Sequence, residues 1–300
     1  GRANAAVATV SVFRDGTVEI KNGVQDIGGG IPTVLAQIGA EVFRRPLSTI
    51  RVRYGDSEHG PSVGSGGSQT TSSVTPAVRD ACEVVHRSLT QLAAKQLGIE
   101  PKDVRWDDDA TAHAAESSGK RGSITFTQLC KKIDGEAIVN TGTRPETYGH
   151  EPMAFPGGKQ YQIAGVQLAE VEVDTWTGVV RATRVLALHD CGRVMNPLTL
   201  RSQINGGIIL GTSYALMEER VLDNDLGRML NPNLESYKIL GARDVPAIEV
   251  VLTEVYTGAN NTGAVGIGEP ATIPTAAAIA CAVHDALGVA VRSLPLTPAK

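Results

Sequence analysis

The chain is poor in aromatic side chains and in cysteine. Only 4% of its 300 residues are aromatic, and its four cysteines are Cys82, Cys130, Cys191 and Cys281. No two of these cysteines have the spacing of a metal-binding knuckle or of an iron–sulfur motif, and the six histidines form no HxxxH pair. The sequence therefore predicts no zinc site, and we expect four reduced thiols in apolar surroundings.

Long hydrophobic runs and an excess of basic charge are also missing. No apolar stretch reaches the ~18 residues of a membrane-spanning helix, and the formal net charge of −4 argues against a nucleic-acid-binding face. The opening residues, GRANAAVATV, have neither the basic start nor the apolar centre of a signal peptide. Because they also lack an initiator methionine and lead directly into a strand pattern, we expect a processed chain or a piece of a larger one.

Glycine and small aliphatic residues are abundant instead. The chain has 33 glycines and 15 prolines, and 42% of its residues are hydrophobic. This composition is typical of mixed α/β folds, and the length suffices for two modest domains. The segments DIGGGIPTVLAQ and QINGGIILGTSYAL are faintly alike, which favours a pair of related α/β halves.

The periodicity of apolar residues predicts the main elements. Strands are predicted in a hairpin over residues 5–25, in TIRVRYGD, in the hairpin IAGVQLAEVEVD–GVVRATRVLALHDCG, and in AIEVVLTEV. Helices are predicted from Pro32, from Pro76 to Gly98, over NPLTLRSQINGGIILGTSYALMEERVL, and from Pro270 to Gly288. The segment RPETYGHEPMAFPGGKQYQ is predicted to be a long loop.

Two glycine-rich segments are candidates for a ligand site. Asp26–Gly30 leads into a helix and has the composition of an anion cradle, although any tight strand-to-helix turn can use glycines. Gly64–Ser73, GSGGSQTTSS, offers backbone N–H groups and hydroxyls that suit a phosphate or polyanion, and equally a flexible linker. It is not a P-loop, because no lysine follows the glycines.

Two polar side chains complete the set of candidates. Gln203 lies just before a paired glycine in an apolar helix, where the glycines predict the close approach of a backbone, a ligand or another helix. Glu269 lies between Gly268 and Pro270 at a predicted helix start. That position suits a partner of the helix dipole or a cap, and it also suits a buried base whose pKa desolvation would raise.

These segments, in this order, resemble the C-terminal half of the large, molybdenum-binding subunit of the xanthine dehydrogenase/aldehyde oxidoreductase family, the molybdenum hydroxylases. The resemblance runs from about residue 16 to 298. The motifs that carry it are DIGGGIPTVLAQIGAE, GSGGSQTTSSVTPAVRDAC, AEVEVDTWTGVVRATRVLALHDCGRVMNPLTLRSQINGGIILGTSYALMEE and GAVGIGEPATIPTAAAIACAVHDALG. The last two are highly specific.

The resemblance implies a mixed α/β (α+β) fold with two related cofactor-binding subdomains, in which mixed sheets pack with helices. The first, residues 1–145, would hold the glycine turn and the Gly/Ser loop. The second, residues 146–300, would hold the Gln203 helix and the Glu269 loop. Residues that select the substrate would lie on the family's N-terminal half, which this chain does not include, and in the loop 142–160.

The resemblance also implies roles for individual residues. Glu269 would be the catalytic general base, and the metal would be held through its pterin rather than by side chains. Cofactor contacts are implied for Ile27, Gly28, Gly29, Gly67, Ser68, Gln69, Thr70 and Gln203. Many relatives have Gly-Gln-Gly at the first turn, whereas this chain has three glycines there, so any pterin contact must come from backbone N–H groups.

The implied activity is the oxidation of an aldehyde, or the hydroxylation of an N-heterocycle or purine, with water as the oxygen donor. The implied cofactor is molybdopterin with molybdenum, as its cytosine dinucleotide. Expected partners are the N-terminal half of the subunit, an iron–sulfur subunit and an FAD subunit, with no nucleic acid and no membrane span. The cytoplasm is the expected compartment and the periplasm the alternative. The rival interpretations are a non-catalytic fragment or docking subunit, and a maturation protein that holds the pterin cofactor.

Overall fold

The computed structural model describes residues 5–144, 163–255 and 260–300. The chain divides into two compact units. The first comprises Gly1–Tyr161 and Thr257–Gly266, and the second comprises Gln162–Tyr256 and Ile267–Lys300. The chain therefore returns to the first unit for one short segment before it completes the second.

Two sheets form the strand framework of the first unit. Its strands are β1 (Ala6–Phe13), β2 (Val18–Asn22), β3 (Ile50–Tyr54), β4 (Val104–Trp106), β5 (Thr111–Ala114), β6 (Ser123–Thr125) and β7 (Ala137–Arg144). The larger sheet has the order β3-β2-β1-β7, in which β1 is antiparallel to both neighbours and β2 is parallel to β3. Strands β4, β5 and β6 form a small antiparallel sheet. The hairpin predicted over residues 5–25 is confirmed.

Within the described residues, three α-helices accompany these sheets: α1 (Ile31–Phe43), α2 (Thr70–Leu97) and α3 (Phe126–Cys130). The predicted start of α2 at Pro76 is wrong, because the helix begins at Thr70 and Pro76 lies inside it. Ser72, Ser73 and Thr75 are buried, and the Thr75 hydroxyl donates to the carbonyl oxygen of Thr71 at 2.7 Å. A hydrogen bond of this kind, from a hydroxyl to a carbonyl oxygen one turn earlier, lets serine and threonine lie inside a helix. The sequence suggested that these residues would form a loop.

A mixed three-stranded sheet forms the framework of the second unit. The described strands of this unit are β8 (Ala164–Val173), β9 (Val180–Asp190), β10 (Leu222–Asp223), β11 (Arg228–Met229) and β12 (Ala247–Thr253), and the sheet comprises β8, β9 and β12. Strand β9 is central, antiparallel to β8 and parallel to β12, while β10 and β11 form a separate ribbon. The predicted hairpin and the following strand are confirmed.

Two helices pack in the second unit: α4 (Pro197–Leu216) and α5 (Thr275–Leu287). Helix α5 ends at Gly288, which has a φ of 71° as its predicted capping role requires. The predicted start at Pro270 is wrong, because Pro270–Thr272 forms a separate 3₁₀ turn. Pro274 lacks the N–H that a continuous helix would direct to the carbonyl oxygen of Pro270, so the helix begins only after it.

The core of the second unit is built largely from small aliphatic residues. Alanine lets α4 and α5 approach the sheet closely, which agrees with the aliphatic composition of the sequence. The buried cluster contains Ala182, Ala215, Ala276, Ile279, Val283 and Leu296.

All four cysteines are free, as predicted, but only three have the expected surroundings. Cys82, Cys130 and Cys191 are buried, whereas Cys281 on α5 is exposed, contrary to expectation. Burial raises the pKa of the Cys191 thiol to about 11, so this thiol stays protonated at neutral pH.

Two further expectations concern segments rather than side chains. Among the described residues, no helix combines the length and the hydropathy of a membrane span. Arg144, the first residue of the predicted long loop, belongs to β7, as do residues 142–144 of the expected substrate-selecting loop 142–160, and the rest of both falls outside the described residues.

Candidate functional site

The first glycine-rich turn is shaped by the carboxylate of Asp26. Its Oδ1 accepts hydrogen bonds from the backbone N–H groups of Gly28 and Gly30, at 3.0 and 3.1 Å. Both glycines have positive φ, 102° and 76°, which other residues adopt only with strain. Two N–H groups of the predicted anion cradle therefore already bond the chain's own acid. The side chain of Ile27 is 78% exposed.

The second glycine-rich loop runs into the N-terminus of α2. Gly67 and Ser68 both have left-handed backbones, with φ of 60° and 56°. The side-chain amide of Gln69 donates to the carbonyl oxygen of Gly64 at 3.2 Å and closes the loop on itself. The candidate residues Gly67–Thr70 are therefore held in one turn at the start of the helix.

The two glycine-rich segments are joined side by side. The Ser65 hydroxyl donates to the carbonyl oxygen of Gln25 at 2.8 Å, and the Ser65 N–H donates to the Gln25 side-chain oxygen at 3.3 Å. These bonds bring the candidates at 27–29 and at 67–70 to the same part of the first unit. Ser65 belongs to the candidate segment Gly64–Ser73, whereas Gln25 was not singled out in the sequence, where a lone polar residue before a glycine-rich turn carries no distinct signal.

The space beside these segments is open. A methyl group built on Gly28, Gly29, Gly64, Gly66 or Gly67 would meet no other atom of the described chain within 4 Å. A bulky ligand can therefore approach the backbone directly, as a pterin with a phosphate group requires, and the nearby hydroxyls can donate to phosphate oxygens. In the described ranges, no cluster of three or more His, Cys, Asp or Glu side chains could hold a metal ion.

A third segment supports the second loop from behind. A methyl group on Gly266 would overlap the carbonyl oxygen of Ser68, so the two backbones are in direct contact. The Thr262 and Thr75 hydroxyls share a buried hydrogen bond of 2.8 Å, and the Asn261 side-chain N–H donates to Asp80 at 2.7 Å. The segment that anchors the loop thus ends three residues before Glu269 in the sequence.

In the second unit, Glu269 immediately precedes the 3₁₀ turn. Its carbonyl oxygen accepts from the N–H of Thr272 at 2.9 Å. Its carboxylate makes no capping hydrogen bond, so the expectation of a helix cap is wrong. The residue is exposed among the described residues, so its role as a buried base stays a prediction.

Helix α4 lies against the Glu269 turn through a glycine stripe. A Cβ atom on Gly207 would lie 2.8 Å from that of Ala271, and one on Gly211 would overlap the side chain of Thr275. The amide of Gln203 donates to the carbonyl oxygen of Gly268 at 2.7 Å. Among the open alternatives for the paired glycine, the structure therefore shows the close approach of a neighbouring backbone.

The adjacent glycines of α4 give a matched pair of variants. We expect Gly207→Ala to lower the free energy of unfolding by about 1–3 kcal/mol, because the added methyl collides with Ala271 in a packed region. Gly206→Ala meets nothing within 4 Å and should raise stability by up to about 1 kcal/mol through helix propensity. Chemical denaturation of both variants checks the difference, and equal effects would contradict the packing account.

Comparison with known proteins identifies the family. Residues 1–246 match the model of the molybdopterin cofactor-binding domain, and the chain belongs to that family. The mixed α/β architecture is that of molybdenum hydroxylase subunits, as the relatives below indicate.

Particular relatives extend the likeness over almost the whole chain. It is 33% identical to the aldehyde oxidoreductase molybdenum-binding subunit PaoC of Escherichia coli K12, over 97% of this chain and 37% of that protein. It is also 33% identical to the 6-hydroxypseudooxynicotine dehydrogenase complex subunit gamma of Paenarthrobacter nicotinovorans, over 96% of this chain and 36% of that protein. Quinoline 2-oxidoreductase of Pseudomonas putida 86 superposes with a TM-score of 0.85 at 27% identity, covering 98% of this chain and 37% of that one. The chain thus spans little more than a third of these relatives' length.

Proposed function

We propose that this chain is the base-bearing and cofactor-binding part of a molybdenum hydroxylase that is active together with the remainder of its subunit. The reaction would oxidise an aldehyde, or hydroxylate an N-heterocycle or purine, with water as oxygen donor. For an aldehyde, one water and one aldehyde give a carboxylic acid, two protons and two electrons. The observation that carries the proposal is the pair of open glycine-rich segments held side by side in a member of this family.

Each candidate residue has a role that its contacts support. The first turn, Ile27 to Gly29, would face the pterin through exposed backbone and the Ile27 side chain. The second turn, Gly67 to Thr70, would offer backbone N–H groups and hydroxyls to the phosphate. Gln203 would contact the cofactor while its side-chain N–H donates to the carbonyl oxygen of Gly268.

Glu269 would act as the general base. The bound molybdenum cofactor would accept the two electrons and activate the water. The Glu269 carboxylate would take a proton from that water as the new carbon–oxygen bond forms, and would release the proton to solvent afterwards. Such a base works best when it is held within hydrogen-bond reach of the proton it removes. The bonds of Gln203 and of Thr272 to the flanking backbone support that positioning.

The electron-transfer cofactors and the rest of the substrate pocket would lie on other polypeptide chains or on the remainder of the subunit. We propose the cytosine dinucleotide form of molybdopterin, with electrons leaving through two-iron two-sulfur clusters and FAD on partner chains. The cysteine spacing of this chain provides no ligand motif for such clusters. The N-terminal part of the subunit would supply the rest of the substrate pocket.

Isotopic labelling of the native assembly that contains this chain tests the proposal. Turnover of an N-heterocycle in water enriched in oxygen-18 should place one labelled oxygen in the product. An aldehyde exchanges its own oxygen with water through its hydrate, so its acid product should carry label in up to both oxygens. Molybdenum and pterin should be present at about one per copy of the chain. Oxygen in the product that comes from dioxygen would contradict water as the donor.

The same preparation separates the rival interpretations. A non-catalytic fragment or docking subunit predicts an assembly without molybdenum. A maturation protein predicts bound pterin but no substrate-dependent reduction of a dye. Either result would overturn the proposed activity.

A further inference from the structure

A buried polar cluster in the second unit has no place in the proposed chemistry so far. Gln167 on β8, His189 on β9 and Thr275 at the start of α5 have exposures of 6%, 2% and 0%. Buried polar side chains of this kind are costly unless they are hydrogen-bonded. Their partners therefore show what the cluster holds in place.

Gln167 is the centre of the cluster. Its side-chain N–H donates to the carbonyl oxygen of Ala271 at 2.8 Å, and its side-chain oxygen accepts from the Thr275 hydroxyl at 2.7 Å. Its nitrogen also lies 3.2 Å from Nε2 of His189. One buried amide thus links the sheet to both ends of the segment 271–275.

The bonding pattern allows one orientation of this amide. If it were flipped, its oxygen would face the carbonyl oxygen of Ala271, and two acceptors would be in contact. With the nitrogen toward Ala271, the second N–H is available to Nε2 of His189, and this assigns the imidazole proton to Nδ1, a buried atom with no hydrogen-bond partner among the described residues. Burial lowers the pKa of His189, in agreement with a neutral ring.

Gly165 provides the space that the His189 ring occupies beside Gln167. Gly165 lies opposite His189 in the register of β8 and β9. A methyl group at Gly165 would overlap the imidazole ring, so the ring lies directly over the glycine backbone. The histidine in turn contacts the side-chain nitrogen of Gln167 through Nε2.

The backbone turn around Glu269 is held by hydrogen bonds to three carbonyl oxygens, one before Glu269 and two after it. Gln203 binds that of Gly268, Gln167 that of Ala271, and the Tyr214 hydroxyl that of Thr272 at 2.9 Å. Gln203 is exposed and Tyr214 is half-buried, whereas Gln167 is buried and fixed on its other side by Thr275. Gln167 is therefore the donor that ties the turn to the sheet.

We propose that Gln167 is a positioning residue for Glu269, and that its buried amide sets the direction of the Glu269 carboxylate by fixing the carbonyl oxygen of Ala271. The inference rests on the proposed role of Glu269 as the base. Gln167 itself acts through the backbone of the turn, two residues beyond Glu269. His189 and Thr275 keep the amide in its working orientation.

Gln167→Met in the native assembly tests this. Methionine keeps the volume and removes the donor, so we expect kcat to fall by about 10- to 100-fold with little change in KM, as for a misplacement of about 1 Å. A second readout is independent of activity. The N–H groups of Thr272 and Ile273, which bond to Glu269 and Pro270, should exchange with deuterium at least about tenfold faster, as mass spectrometry of peptides over 264–280 would show.

Two control variants separate positioning from general loosening. Thr253→Val removes a hydrogen bond to Asp190 in the same sheet and should leave exchange of the turn unchanged. If Gln167→Met does not fold, Thr275→Val should speed exchange of the turn more mildly, because it removes the hydroxyl that donates to Gln167 and lies 3.2 Å from the carbonyl oxygen of Ala271. Thr275→Ser keeps that hydroxyl and should exchange like the wild type. If the N–H groups of Thr272 and Ile273 exchanged equally fast in Thr253→Val and Gln167→Met, the positioning role of Gln167 would be overturned.

The double variant Gln167→Met/Glu269→Gln tests the positioning role of Gln167 separately from the base role of Glu269. If Gln167 acts through Glu269, adding Gln167→Met to Glu269→Gln should cost almost nothing more in kcat. Full additivity, or wild-type exchange in Gln167→Met, would contradict the positioning role. If Glu269→Gln alone keeps normal turnover, the base assignment fails, while faster exchange in Gln167→Met would still show that Gln167 fixes the turn.

Discussion

Glu269→Gln is expected to lower turnover by about 10²- to 10⁴-fold, the usual loss when a general base is removed. Glutamine has nearly the same shape and can still donate and accept hydrogen bonds, but it cannot take a proton. Because the turn is held by its backbone contacts with Gln203 and Thr272, the substitution should leave its conformation in place. Molybdenum and pterin content should therefore stay close to those of the wild type.

Steady-state kinetics with metal analysis of the same sample checks this result. Glu235→Gln is a matched control, because Glu235 is an exposed glutamate of the same unit that has no proposed role. It should turn over normally. If Glu269→Gln kept more than about a tenth of the wild-type rate, the base would have to be another group.

Gly266→Ala is expected to damage both stability and cofactor binding. The new methyl group would overlap the carbonyl oxygen of Ser68, and neither backbone can rotate away as a flexible side chain could. Relief requires the second glycine-rich loop to move, at a cost of about 1–3 kcal/mol in the free energy of unfolding. Because Gly67–Thr70 would move with Ser68, the assembly should also lose most of its molybdenum.

Denaturation curves and molybdenum content per chain measure the two effects. Gly64→Ala in the same loop serves as the stability control, since its methyl group meets nothing within 4 Å and its φ is not positive. Its free energy of unfolding should match the wild type. A Gly266→Ala protein with normal stability and full metal content would show that the contact with Ser68 does not shape the loop.

The features that could be predicted from the sequence are those that depend on neighbouring residues alone. Alternation over residues 5–25 identified the first hairpin, and Gly98 and Gly288 marked helix ends through their left-handed backbones. The start of α2 was misplaced because serine and threonine at 70–75 look like loop residues unless their burial is known. Local chemistry alone does not specify which hydroxyls become buried.

Other features depend on contacts between distant segments. In β8, apolar Val166 and Leu168 are 54% and 63% exposed while polar Gln167 is buried, the reverse of what hydropathy suggests for a half-buried strand. The contact of Gly266 with Ser68 joins residues almost two hundred positions apart. The candidates Glu269 and Gln203 stood out beside glycine and proline in the sequence and took their roles from the family resemblance, whereas Gln25 and Gln167 emerge only from the contacts they make.

The return of residues 257–266 to the first unit affects how the protein is made. A ribosome releases the bulk of that unit by about residue 161, but the piece that supplies Thr262 and Gly266 emerges about a hundred residues later. At about 5–20 residues per second, roughly 5–20 seconds pass before the Thr75 hydroxyl can form its hydrogen bond with Thr262. Maturation of the first unit is thereby coupled to translation of most of the second, and a gene truncated between the two would encode an incomplete first unit.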